Sequence, residues 1–141
     1  MILDFALAFF ATIGFSVIFN VPRKEIFYCG IAGASGWFLF QLIYSYGTVE
    51  AVFAATLIIS YISRFLSFKR KMPATLYMIP GIIPLVPGTG IYYTMYFIVI
   101  GDNPQALMRG IETLMIAGVI AIGLLIVLSL PRWLFTTANA N

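Results

Sequence analysis

Short charged or Gly/Pro-bearing separators, NVPRKE, YGTVE, SFKRKMP and GDNP, cut this chain into apolar runs long enough to cross about 30 Å of hydrocarbon. The runs fall at 2–19, 27–46, 49–66, 74–100 and 105–130. Each residue of a helix adds about 1.5 Å, and a helix satisfies its own backbone hydrogen bonds, so runs of this length read as spanning helices. Charged residues make up 9% of the chain and hydrophobic ones 62%, whereas a water-soluble domain carries about 25% charge. The reading is an all-α integral membrane protein of about five transmembrane helices, the fourth broken, in a single transmembrane domain over 1–141.

Several classes drop out. The first run, MILDFALAFFATIGFSVIFN, carries Asp4 where a signal peptide has a basic n-region, and it lacks an Ala-x-Ala cleavage site. It therefore reads as a transmembrane helix. With no His and one Cys, Cys29, there is no Cys/His metal site, no CxxC motif and no intramolecular disulfide. Acid–base chemistry would fall to five carboxylates, and no nucleophile elbow or phosphate loop is present. No enzyme activity, metal or cofactor is expected. Basic residues cluster only at Lys69-Arg70-Lys71, which is too few for a nucleic-acid surface.

The net charge of +3 matters by position. With the N-terminus outside and five crossings, every basic residue except Arg109 lies on the cytoplasmic side. A re-entrant hairpin over 74–100 makes Arg132 the exception instead, and satisfies the rule equally. Charge thus orients the first three helices and leaves the last two open.

The fourth run holds IPGIIPLVPGTG, residues 79–90, with three prolines and three glycines. Pro80, Pro84 and Pro87 lack an N–H, so in a helix the carbonyls of Leu76, Pro80 and Ile83 lose their donors. Ile79, Ile83 and Val86 are pushed from helical angles, and Gly81, Gly88 and Gly90 loosen the chain further. The segment should unwind, with one half-helix ending near Ile79 and a second starting at Thr89 as N-cap. Non-helical backbone at membrane depth survives only inside protein or along a wet cavity, where transporters place substrates between half-helices. The dipole at the start of the second half-helix suits a carboxylate. The candidate substrate-binding set is Pro80, Gly81, Pro84, Pro87, Gly88, Thr89 and Tyr92, against the alternative of a plain packing kink.

Other polar residues have two readings each. Arg109 and Glu112, three apart, can pair on one helix face. As intramembrane charges they are candidates for ion coupling, or else an interfacial anchor. Tyr92 and Tyr96 share a face that lines a substrate route or forms an aromatic girdle. Gln41, Tyr44 and Ser45 face a polar path, or Tyr44 and Tyr46 belong to that girdle. Asp102 and Asn103 form a turn before Pro104, Trp133 anchors the interface, and Cys29 is a small packing residue. Gly30, Gly33 and Gly36, and Ala117 with Ala121, leave flat faces that meet within the chain or across subunits. The TTANAN tail reads as polar and frayed.

The stretch MPATLYMIPGIIPLVPGTGIYYTMY resembles the signature region of the threonine/serine exporter family, in its small all-membrane subunit. IFNVPRKE and GIAGASGWF fit the same family. The resemblance implies a fold of two membrane halves, the other half being fused or carried by a separate larger subunit, with related two-component systems exporting dicarboxylates such as succinate. It implies a multi-pass protein of the bacterial inner membrane that acts with that larger partner, surrounded by lipid. The function read is a secondary exporter of threonine, serine or small dicarboxylates. An oligomeric channel, whose homo-oligomer would use the break as a ring of carbonyls, and a non-transporting scaffold subunit are the alternatives.

Overall fold

In a computed structural model describing residues 2–136, the described residues form helices joined by short turns, with no strand. The order is α1 (Ile2–Ile18), α2 (Arg23–Ile43), α3 (Thr48–Arg70), α4 (Thr75–Ile82), a 3-10 turn (Ile83–Leu85), α5 (Gly88–Val99), α6 (Asn103–Ser129) and a short α7 (Trp133–Thr136). Helices α2, α3 and α6 are each long and apolar enough to cross a membrane, and α4 with α5 makes a bent pair that passes the same test together. Helix α1 is apolar but shorter. Residues 137–141, the rest of the expected frayed tail, lie outside the described residues.

Two helix ends differ from the sequence reading for one reason. Arg23, Lys24 and Glu25 were expected to separate helices, yet they form the first turn of α2, directly after Pro22. Likewise α3 runs on through Lys69 and Arg70 to a left-handed Lys71. Charge marks where a helix leaves hydrocarbon, whereas the helix itself ends where backbone geometry demands it, at Pro22 and at Lys71.

Helix α2 sits at the centre, against α1, α3 and α4. Its glycine face is used inside this chain. A Cβ added at Gly30 would strike Phe9, one at Gly33 would strike Thr12, and one at Gly36 would strike Ile59. A Cβ on Gly81 of α4 would come to 3.6 Å from the Gly33 nitrogen, so α4 and α2 meet nearly backbone to backbone. The flat face is thus filled by neighbouring helices and is not available to another subunit. Ala117 and Ala121 of α6 are exposed.

Four buried hydroxyls are satisfied within their own helices, whereas that of Ser63 has no partner among the described residues. Thr12 donates to the Ala8 carbonyl at 2.8 Å, Ser16 to Thr12 at 2.7 Å, Thr56 to Val52 at 2.8 Å and Ser60 to Thr56 at 2.7 Å. Apolar packing joins α3, α4 and α6 through Ile59, Met78, Ile82, Ile116 and Ile120. Arg64 of α3 donates to the Val127 carbonyl at 2.7 Å and also to Leu128 and Leu130. It caps the end of α6, and its guanidinium lies 5.1 Å from the Phe135 ring centre.

This packing sets a test. Gly33→Ala drives a methyl into the Thr12 hydroxyl and is expected to cost about 1–3 kcal/mol. Gly118→Ala, where nothing lies within 4 Å of the added carbon, is expected to be neutral or better. Thermal aggregation of the detergent-solubilised variants checks the contrast.

Candidate functional site

The proline segment breaks later than its sequence suggests. Helix α4 continues through Pro80 to Ile82, followed by the 3-10 turn and an extended Val86 (φ −62°, ψ 131°). Pro80 costs the Leu76 carbonyl its helical donor, and the Cys29 thiol of α2 donates to that carbonyl at 3.5 Å. This weak bond, with burial between α2 and α3, lets the helix pass Pro80. The Ile83 carbonyl, orphaned by Pro87, accepts from Val86 N–H at 3.1 Å. Two residues, Val86 and Pro87, therefore form the joint, and α4 and α5 are inclined by 46° across it. Pro87 occupies the N-cap position of α5, and Thr89, expected there, lies inside the first turn.

A cavity of about 330 Å³ opens beside the joint, within the range of small-molecule sites. One wall is the joint and the start of α5, with Pro84, Pro87, Thr89, Gly90 and Tyr93. Helix α6 contributes Arg109, Glu112 and Thr113, and α2 and α3 supply Trp37, Tyr44 and Thr48. The first-turn N–H groups of a helix lack helical acceptors. Gly88 N–H is taken by the Val86 carbonyl at 2.8 Å and Ile91 N–H by Pro87 at 3.1 Å, which leaves Thr89 and Gly90 as the donors on the cavity wall.

Arg109 Nη1 donates to Glu112 Oε2 at 3.2 Å, with side chains 48% and 44% exposed. The pair lies deeper than the helix start. Glu112 is nine residues, about 14 Å, into α6, and a Cβ on Gly90 would strike its neighbour Thr113. Thus the ion pair stands level with the first turn of α5.

The other sequence candidates separate. Gly81 packs against Ile59 and Gly33. Pro80 lines a different cavity of about 310 Å³ at the opposite end of α4, with Asn20, Pro73 and Thr75. Gly88 faces open space, and Tyr92, 64% exposed, stacks on Tyr96 with ring centres 6.4 Å apart. Neither lines the main cavity. A third cavity of about 240 Å³ holds Asp4 and Leu7 and shares Trp37 and Pro84 with the main one.

Sequence reasoning missed Tyr93, although the four-residue step from Thr89 leads to it once the helix starts at Gly88. It had no means of placing Trp37, Thr48 or Thr113 there. It also missed a charged knot at the far end of the bundle. Buried Glu25 accepts from Arg70 Nη2 at 2.8 Å and from the fully buried Tyr77 hydroxyl at 2.7 Å. The Arg70 guanidinium also lies 4.1 Å from the Tyr28 ring centre.

An interrupted span with a charged cavity at the interruption is the arrangement in which many membrane transporters place their substrate sites. More particularly, the sequence model for "Threonine/Serine exporter, ThrE" matches residues 4–130, so the chain belongs to that family. The family is one of transporters. An uncharacterized protein of Haemophilus influenzae is 30% identical over 145 residues, which cover 96% of this chain and 48% of that protein. The chain thus spans about half the length of that relative. No solved structure matches it.

The charged knot yields a test. Tyr77→Phe removes one hydrogen bond and is expected to cost about 0.5–1.5 kcal/mol. Glu25→Ala leaves both Arg70 and Tyr77 without their carboxylate and is expected to cost more, up to about 3 kcal/mol given the partial exposure of Arg70. Thermal unfolding midpoints compare them, and equal losses would show that the carboxylate ties nothing beyond the tyrosine.

Proposed function

We propose that this chain is a membrane subunit of a secondary exporter of small carboxylate-bearing metabolites, with zwitterionic threonine or serine preferred over dicarboxylates such as succinate. One observation carries the reading: the first turn of α5 and the Arg109–Glu112 pair line the same cavity. The helix N-terminus and guanidinium attract a carboxylate. Glu112 accepts the substrate ammonium. The same carboxylate is the group that a coupling cation would occupy, so substrate and ion exclude one another there. Mutually exclusive occupancy is what exchange across a membrane requires. Tyr93 and Thr89 are placed to contact a side-chain hydroxyl.

The topology we propose has five crossings with the N-terminus outside, in a bacterial inner membrane. The 46° inclination between α4 and α5 supports a single broken crossing, because a re-entrant hairpin has to reverse the chain. We further propose that transport requires a larger partner subunit carrying the other membrane half, a reading supported by the chain's spanning about half of its relative.

Efflux of labelled threonine, serine and succinate from vesicles, with and without co-expressed partner, tests the reading. Arg109→Gln is expected to raise KM for all three about tenfold or more, the equivalent of one charge-assisted bond. Glu112→Gln is expected to weaken the amino acids while sparing succinate. Pro84→Ala with Pro87→Ala is expected to abolish efflux while keeping the protein inserted. Unchanged affinity in Arg109→Gln would refute the site, and unsaturable single-channel current would favour a channel.

For topology, Asp102→Cys and Ala138→Cys in a Cys29→Ser background are compared by impermeant thiol labelling. Position 102 is expected to label from outside and 138, which lies beyond the described residues, from inside. The reverse pattern would mean a re-entrant hairpin.

A further inference from the structure

The joint is incompletely enclosed by this chain. Val86 is 46% exposed, Gly88 and Thr89 are exposed, and nothing lies within 4 Å of a carbon added at Gly88. The joint begins at Val86, eleven residues after the start of α4 at Thr75, about 16 Å along the span and near the middle of a bilayer about 30 Å thick. Non-helical backbone cannot face lipid at that depth, since hydrocarbon offers no hydrogen-bonding partner. Neither is a half-exposed ion pair such as Arg109–Glu112 tolerated there without a covering.

Helix α5 repeats the pattern. Its contacts run through Gly90 to Thr113 and through Thr94 to Gly110, and among its twelve residues none is buried. On the opposite side, Gly88, Tyr92, Tyr96 and Val99 form a continuous exposed stripe at helical spacing. Tyr92 starts one turn from the joint, so its hydroxyl too is deep, where a buried phenol needs a polar neighbour. Leu114 and Leu125 of α6 are equally exposed but lack any polar group, as a lipid-facing side should.

We infer that the α5 stripe and the adjoining joint are the docking surface for a second helical membrane module, one that presents polar side chains to the joint and closes the main cavity. The occupant is a different chain segment and not a second copy of this one. The relative of twice this length carries about as much chain again outside the matched half. The inference rests on the proposed topology, and it names the surface by which the proposed partner is held. Tyr92 then belongs to this contact and not to the substrate path.

The test uses native membranes of the producing cell and single cysteines in a Cys29→Ser background: Tyr92→Cys, Tyr96→Cys and, as lipid-facing reference, Leu125→Cys. Pyrene maleimide, which partitions into lipid, is expected to label position 125 and to lose its labelling at 92 and 96. The purified chain in liposomes is expected to label at all three. A short bis-maleimide at 92 is expected to give an adduct with a membrane chain whose sequence aligns with the unmatched half of the relative, identified by peptide sequencing. Labelling at 92 and 96 equal to that at 125 in native membranes would overturn the inference in favour of lipid. An adduct of two copies of this chain would overturn it in favour of a homodimer, and protection persisting in the purified chain would mean that the chain covers itself. None of these readouts depends on transport. Loss of the export reading leaves the protection pattern standing, and lipid contact at Tyr92 leaves the efflux result standing.

Discussion

Everything in this structure follows from the impossibility of leaving a backbone carbonyl or amide unsatisfied in hydrocarbon. A straight helix meets that condition without help, and three prolines within eight residues violate it. The violations are handled one at a time. The carbonyl that Pro80 orphans is answered by a thiol from the neighbouring helix, and the one that Pro87 orphans is answered by the tight turn before it. Pro84, by contrast, sits in a 3-10 turn whose geometry accommodates it. The interruption is thereby compressed to Val86 and Pro87. The same condition explains Arg64, whose fork of donors serves the last carbonyls of α6.

The compression depends on close packing. α4 can lie against α2 because Gly33 and Gly81 let their backbones approach, and this places Cys29 within reach of Leu76. A larger residue at either glycine would separate the helices and with them the thiol from the carbonyl. Glu25, Arg70 and Tyr77 fix the other end of α4 to α2 and α3. The first half of the broken span is thus held along its whole length, whereas the second half, α5, is held on one side alone, by α6. The charged cavity lies where the firmly held half meets the loosely held one.

Much of this was legible in the sequence. Apolar run length placed the helices, and the proline spacing placed an interruption between residues 79 and 90. Charge patterning misplaced the ends of α2 and α3, because Arg23, Lys24, Lys69 and Arg70 tolerate helix as well as they tolerate water. The start of α5 was misplaced by one signal, the preference of Thr for N-caps, and Tyr92 was singled out for the face it shares with Tyr96, whereas the cavity wall carries Tyr93. The pairing of Arg109 with Glu112 was readable from their spacing, but their depth beside the joint was not. It depends on the antiparallel register of α5 and α6, set by Gly90 and Gly110 against two threonines. The Glu25 knot joins residues 45 and 52 positions apart, a distance over which periodicity carries no information.

Trp37 stands in the wall shared by the main cavity and the one around Asp4, with the Phe40 ring 5.1 Å away. The chain has two tryptophans, and the other, Trp133, is exposed beyond the end of α6. Nature has therefore placed one indole where a change in either cavity alters the polarity around it, and a second far enough away to be indifferent. The unmodified protein carries its own optical reporter and its own reference, so occupancy can be followed by emission wavelength in membranes without attaching any dye.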